Sequence, residues 1–388
     1  MLTLDSNTHS NAVPFSLLGP LAGELAAEWE RKSRIRELSL HQLSPYIGKL
    51  KSNIASTLIT SFTCESDVIY DPFCGSGSVA LESWAAGRRV IATDLSPYAV
   101  TLTRGKLFPP RNLEEVNIEL QRCAVAASRM MRSVDLRKAP KWVRAFFHPE
   151  TLREMIAWAE VLRRRGSYFL LSCLLGIAHH QRPGFLSYPS SHAVPYLRDR
   201  RFPAESYPEL YEYRAVFDRL QRKVQRSMKR VLALDHSVER ACHLRNAASF
   251  LPSSEVNVIL TSPPYMRRLD YGRDNRLRLW FLGVADSAAL DQAISPRETQ
   301  FFKLFRTCLR HWRQFLTPGG LCILVVGDSP CRSYGMELPE AIVKIATREV
   351  GGYSLESKCT STIPDRRRVR RGYTGTKNET VLLLRRST

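Results

Sequence analysis

The apolar positions of this 388-residue chain fall into short runs separated by glycine- or proline-rich turns and helical patterns. Val68-Ile69-Tyr70 is a strand-like run, followed by a polar turn and a helical pattern from Ser78 to Ala86. Arg89-Val90-Ile91-Ala92-Thr93 reads as the next strand and ends on Asp94. Phe108-Pro109-Pro110-Arg111 then breaks the alternation, because neither proline can continue a helix or a ladder. From there to about Ser237 the periodicity predicts helices over 112–134, 150–165, 167–180 and 206–233. Strands resume near Cys242 with Val256-Asn257-Val258-Ile259-Leu260. They continue in the run 321–326, after the turn Leu316-Thr317-Pro318-Gly319-Gly320, and in the last strand, 379–384. The pattern is an α/β sheet interrupted by a helical insertion. It divides into an N-terminal extension (1–35, with an amphipathic helix from Leu21 to Arg34), a first α/β part (36–108), the insertion (109–239) and a second α/β part (240–388). No internal repeat or low-complexity tract is visible.

Two turns carry candidate chemistry. Asp71-Pro72-Phe73-Cys74-Gly75-Ser76-Gly77 lies between a strand and a helix, where backbone N–H groups and a helix N-terminus approach a cofactor closely. Asp94, at the end of the next strand, stands where an acid takes the ribose hydroxyls of an adenosine-containing ligand. Ala80 replaces the third glycine of a dinucleotide fingerprint, and no lysine follows the glycines as in a nucleoside-triphosphate loop. The spacing therefore favours S-adenosylmethionine. Cys74 is expected to be a small packing residue.

The second turn, Thr261-Ser262-Pro263-Pro264-Tyr265, ends an apolar strand in two prolines and an aromatic ring. Such a stiff turn presents a hydroxyl and carbonyl oxygens beside a flat ring. It can accept hydrogen bonds from an exocyclic amino group while stacking on the ring that carries it. No cysteine follows a proline where ring-carbon methylation requires a nucleophile, so transfer to a ring carbon is set aside.

Charge narrows the partner. The chain has 57 basic against 37 acidic residues, a net +20, and arginines supply 45 of the basic groups. Arginine forks match phosphates and guanine edges, so a nucleic acid is the expected partner. Nine cysteines without metal-type spacing read as reduced thiols. The absence of a basic leader or an apolar stretch of membrane-spanning length leads to the expectation of a soluble cytoplasmic protein with no membrane partner. His179-His180 has no further ligand at metal spacing, and the chemistry needs no metal.

Together the two turns resemble those of the DNA amino-methyltransferases, which modify an exocyclic base nitrogen using S-adenosylmethionine. The serine form of the second turn is more similar to the cytosine-N4 branch than to the adenine-N6 branch. The stretch His41-Gln42-Leu43-Ser44-Pro45-Tyr46-Ile47-Gly48-Lys49 resembles the segment covering the methionine end of the cofactor. Arg245-Asn246-Ala247 falls where such enzymes usually carry an acid beside the adenine, here Asn246. The resemblance covers roughly 36–108 and 240–386. It implies a Rossmann-like class I methyltransferase mixed sheet, with Tyr46, Asp71, Phe73, Cys74, Gly75, Gly77, Asp94, Leu95, Asn246 and Ala247 at the cofactor. Ser262, Pro263, Pro264 and Tyr265 would then hold a base flipped out of double-stranded DNA. A cognate restriction endonuclease is the implied biological partner. Adenine-N6 methylation, an RNA base target and a non-catalytic DNA-binding protein on the same fold remain as alternatives.

For DNA contact the candidates are Arg222, Lys223 and Arg226 on the basic face of helix 206–233, together with Arg267. Arg367 and Arg368, in the run Arg366-Arg367-Arg368-Val369-Arg370-Arg371, are expected to clamp phosphates. The loop from Gln181 to His192, rich in polar and aromatic groups, is a candidate reader of bases or sugar.

Overall fold

The computed structural model describes residues 31, 37–179, 185–187, 203–231, 234–264, 271–294, 297–362 and 378–388. Helix Leu21 to Arg34, most of the loop 181–192, Tyr265, Arg267, Arg367 and Arg368 lie outside the described residues, apart from Arg31 and 185–187.

Seven strands form one sheet: β1 (Val68–Asp71), β2 (Arg89–Asp94), β3 (Arg240–Leu244), β4 (Val256–Thr261), β5 (Leu316–Gly327), β6 (Tyr353–Thr362) and β7 (Asn378–Arg386). Their order is β3-β2-β1-β4-β5-β7-β6. The first five are parallel, and β7 is antiparallel to both β5 and β6. This is a Rossmann-like mixed sheet, a parallel block extended by an antiparallel pair. β1 is buried along its whole length, as a central parallel strand must be. Its alternate side chains serve two cores: Ile69 packs with Leu50, Ile54 and Val79, while Val68 and Tyr70 pack with Phe305, Trp312 and Phe315. The strand order reverses between β1 and β4, so their carboxyl ends open the crevice where ligands bind in such sheets.

The predicted turn at 316–320 is instead an irregularity inside β5. The register with β4 jumps from Val256↔Leu316 to Val258↔Leu321. Gly319 adopts φ +74°, and a Cβ on Gly320 would lie 2.8 Å from the Asn257 carbonyl oxygen. β6 was not predicted, because its polar residues outnumber apolar ones and a register shift between Leu355 and Ser357 breaks its period.

Helices α1 (Ser52–Phe62), α2 (Ser78–Ala85) and α3 (Pro97–Leu107) belong to the first half of the sheet. The insertion supplies α4 (Leu113–Met131), α5 (Pro149–Arg165), α6 (Tyr168–Ile177) and α7 (Val216–Met228). Helix α7 is shorter than the predicted 206–233. Pro208–Tyr211 forms a separate 3-10 turn, and the helix begins where Glu154 Oε2 accepts the Val216 N–H at 2.7 Å. A carboxylate reaching from another helix sets that boundary, and local sequence carries no trace of it.

The insertion is built into the α/β fold. A Cβ on Gly176 of α6 would lie 2.0 Å from the Leu43 carbonyl oxygen, and one on Gly105 of α3 would lie 2.5 Å from Ser172 Oγ. Glycine at these positions lets α6 touch both the 39–50 segment and α3. One apolar cluster runs unbroken from Trp84 and Val90 through Leu120, Leu162 and Leu174 to Leu220. Among the described residues no helix is long and apolar enough to cross a membrane.

Candidate active site

The site begins where β1 ends. Asp71 is 1% exposed, and its Oδ1 accepts the Thr261 hydroxyl at 2.7 Å. Burial pushes its carboxyl up to about 7, against the lowering effect of the Thr261 hydroxyl, the nearby Asp94 carboxyl also raising it. The chain then turns through two left-handed glycines, Gly75 at φ +48° and Gly77 at φ +72°. The Cys74 N–H bonds back to the Thr93 carbonyl (3.0 Å), which ties the turn to β2.

The glycines do different work. Gly75 faces the cavity, and a Cβ there would press on Tyr46 Cε1 at 3.3 Å. Gly77 does not line the cavity: a Cβ would meet Thr103 Oγ1 at 2.6 Å and Thr103 Cα at 3.0 Å, so it is the packing of α2 on α3 that requires glycine there. Cys74 is buried, accepts the Thr103 hydroxyl at 3.3 Å, and has its thiol pushed up by burial, as suits a packing residue.

Asp94 closes the turn from the side. Its Oδ2 accepts the Gly75 N–H (2.9 Å) and its Oδ1 the Ser96 N–H (2.8 Å). One carboxylate thus fixes both the glycine turn and the start of α3. Each oxygen keeps acceptor capacity for a ligand hydroxyl. Burial raises this carboxyl to about 6, while the backbone N–H groups of Ser96 and Gly75 oppose the rise. At the end of β3, the Arg245 N–H binds the Asp94 carbonyl (3.1 Å), which sets Asn246 and Ala247 beside it. Asn246 Oδ1 turns back to accept the Ala248 N–H (2.9 Å).

From the other side, β4 delivers Ser262 and Pro264 to the cavity wall, while Pro263 is buried behind them. The 39–50 segment forms a lid. Tyr46 stacks on Tyr98 (ring centroids 5.8 Å, 26°) and leans on Tyr271 (6.2 Å, 33°). Tyr98 donates to the Pro45 carbonyl at 2.6 Å, which pins the lid to α3. Tyr271 lines the cavity and was not singled out from the sequence; an aromatic six residues beyond Tyr265 was the available signal.

The resulting cavity holds about 830 Å³ of empty space, its open mouth included. It brings together Tyr46, Asp71, Phe73, Cys74, Gly75, Asp94, Leu95, Asn246, Ala247, Ser262 and Pro264. Residues 170 and more apart in sequence, from both turns, therefore share one wall.

The candidate DNA contacts divide. Arg222 and Arg226 are exposed on α7. Lys223 is half-buried between them, and its Nζ donates to the Gln42 carbonyl, so it braces the lid. Arg214, just before α7, is buried and donates to the Glu209 carbonyl (2.9 Å). His179 is buried and its ring is hydrogen-bonded to Ser187 Oγ (3.2 Å), a core histidine. Among the described residues no three His, Cys, Asp or Glu side chains gather as a metal site would need.

Comparison with known proteins bears on this geometry. Residues 29–104, which carry the lid, the glycine turn and Asp94, match the DNA methylase family profile. The Type II methyltransferase M.MjaII of Methanocaldococcus jannaschii is 30% identical over 93 residues, 24% of this chain and 17% of that enzyme. The chain thus aligns with about one-sixth of that relative. Among solved structures, TrmN from Thermus thermophilus is similar at 14% identity and a TM-score of 0.37, over 89% of this chain and 52% of that one. The rRNA methyltransferase aviRa from Streptomyces viridochromogenes is similar at 13% identity and 0.35, over 91% and 93%. Both likenesses are remote, and the strand order stands without them. S-adenosylmethionine is the cofactor that this turn, acid and cavity fit: a glycine at the point of close approach, a strand-end carboxylate with open acceptor sites, and an aromatic lid.

Proposed function

We propose that this protein is a DNA amino-methyltransferase that methylates the exocyclic N4 of cytosine at a specific sequence in double-stranded DNA. The observation that carries the proposal is the meeting of Ser262 and Pro264 with Asp71, Gly75 and Asp94 in one cavity. A cofactor turn and an amino-gripping turn are of use together only if a group passes between their ligands.

Bound S-adenosylmethionine supplies a methyl group on a positively charged sulfonium, open to direct displacement. The protein's part is then alignment more than covalent chemistry. Asp94 fixes the ribose and the glycine turn in one geometry. Asp71, tied to Thr261, keeps the β1 and β4 ends in register. Ser262 Oγ and the Pro263 carbonyl accept hydrogen bonds from the target amino group, drawing electron density onto a nitrogen whose lone pair is otherwise shared with the ring. Tyr265 stacks on the extruded base. As the nitrogen takes the methyl group, one of its protons passes by way of the Ser262 hydroxyl to solvent.

Arg222 and Arg226, exposed on α7, support a role for the insertion in phosphate contact, with Arg267, Arg367 and Arg368 as further candidates. The likeness to a Type II methyltransferase supports a restriction-modification setting. Adenine-N6 transfer is the second reading, because the matched family spans both targets. Incubating the protein with unmethylated DNA and cofactor, then resolving the nucleosides by mass spectrometry, separates 4-methylcytosine from 6-methyladenine. The absence of both would sink the DNA reading.

A further inference from the structure

The segment beyond the proline turn carries two arginines with opposite surroundings. Tyr271 heads it and lines the cavity, and the Asn275 side chain donates back to the Tyr271 carbonyl at 2.9 Å. A short helix, Arg276–Phe281, follows at once. Within it Arg278 is 7% exposed and gives its donors to the carbonyls of Leu175 and His179, both at 3.2 Å, at the C-terminal end of α6. Arg276, about 200° around the helix from Arg278, is only half-buried. Its guanidinium lies over the Trp142 ring, 4.0 Å from the centroid. Among the described residues nothing accepts a hydrogen bond from that guanidinium or pairs with its charge.

Resting on the DNA reading above, we propose that Arg276, laid flat on Trp142, is a preformed clamp for a backbone phosphate of the strand whose base enters the cavity. The platform under it is rigid. Trp142 belongs to the short helix Lys141–Arg144, and the two phenylalanines that follow are buried. Phe146 meets His179 edge-on at 5.1 Å, and Phe147 meets Phe281 edge-on at 5.9 Å, so both short helices are fixed to each other and to the end of α6. A stacked guanidinium has already given up much of its rotamer freedom and still offers its N–H edge to a planar pair of acceptors. Arg276 stands five residues beyond Tyr271, about 8 Å along a helical path, close enough to reach the strand that feeds the cavity. Lys141 and Arg144 are exposed on the Trp142 helix, and Arg273 is exposed between Tyr271 and Arg276. Several cations side by side suit a phosphate backbone better than the edge of a single guanine.

The test measures binding to two labelled duplexes by fluorescence anisotropy over a range of salt, one of mixed sequence and one of alternating dA·dT, which contains no guanine. Arg276→Met should weaken both about tenfold and lower the slope of log affinity against log salt by about 1 on each. Arg276→Gln gives the same reading should the Met variant fail to fold. Trp142→Leu keeps the charge but not the platform, so the slope should stay while affinity falls roughly threefold. S-adenosylhomocysteine affinity and the melting temperature should match the wild type in all three, which separates loss of a contact from loss of the fold. An unchanged slope on removal of the Arg276 charge, a loss confined to the guanine-containing duplex, or undiminished affinity in Trp142→Leu overturns the assignment while the DNA reading stands. A wild-type protein that binds neither duplex overturns both.

Discussion

The Thr261 hydroxyl donates to Asp71 Oδ1 across 2.7 Å, joining the residue before the proline turn to the residue before the glycine turn, 190 positions away. Both groups are buried, and their strands flank the crevice. The bond satisfies a carboxyl that burial has already raised to about 7. Replacing Thr261 with Val keeps the shape and removes the donor, so the folded state should lose about 1–3 kcal/mol, the usual cost of stranding a buried polar group. Urea unfolding measures the loss directly, and an unchanged midpoint would remove the bond from the account.

The same carboxyls make cofactor binding depend on pH. In the role proposed for it, Asp94 must be ionised to accept the ribose hydroxyls fully, and its carboxyl is raised to about 6. Affinity should therefore rise as pH increases from 5 through 6 and level off above about 7, with proton release on binding in that window. Asp94→Asn should flatten the profile and weaken S-adenosylhomocysteine by roughly 10- to 100-fold, the range for a lost charged hydrogen bond. For folding the sign is opposite. Both raised carboxyls hold their protons more tightly in the folded state, so their contribution to stability falls as pH climbs from about 4 through 6 and 7. Calorimetric titrations at several pH values in two buffers of different ionisation heat check both statements.

Gly77 offers a test of structure apart from binding. Gly77→Ala must accept φ +72° and a contact with Thr103 Cα at 3.0 Å. Backbone strain of that kind costs about 1–3 kcal/mol. Thermal unfolding of the ligand-free variant should show the loss, whereas wild-type stability would show that α2 and α3 can part.

On helix α7 the neighbouring cations should separate by their salt dependence. Removing Arg222 and Arg226 together should reduce the slope of log affinity for DNA against log salt by roughly 2. Lys223→Ala should leave that slope unchanged and instead loosen the lid that Gln42 helps to hold. Fluorescence anisotropy on labelled duplex at several salt concentrations distinguishes the two.

Much of the sheet was legible because parallel central strands must be apolar and the turns between them carry glycine, proline and acid at fixed places. Asp71, Gly75, Asp94 and Ser262 fell where those turns placed them. What escaped detection depended on long-range contacts. The start of α7 is set by Glu154, the need for Gly77 by Thr103, and the engagement of Lys223 by Gln42, and none of these partners is near in sequence. Tyr271 was hidden for a similar reason, since its place on the cavity wall depends on Tyr46, 225 residues earlier. β6 lacked the apolar alternation by which strands are recognised, because β7 supplies the apolar face at that edge of the sheet.

The central claim is transfer from the cofactor to an exocyclic amine held by Ser262, and paired measurements on Ser262→Ala test it most directly. Plasmid DNA treated with wild-type protein and S-adenosylmethionine should yield 4-methylcytosine when its nucleosides are resolved by mass spectrometry. The variant should yield none detectable while binding S-adenosylhomocysteine as tightly as the wild type. Undiminished methylation by the variant, or a wild-type product carrying no methylated amino group, would contradict the account.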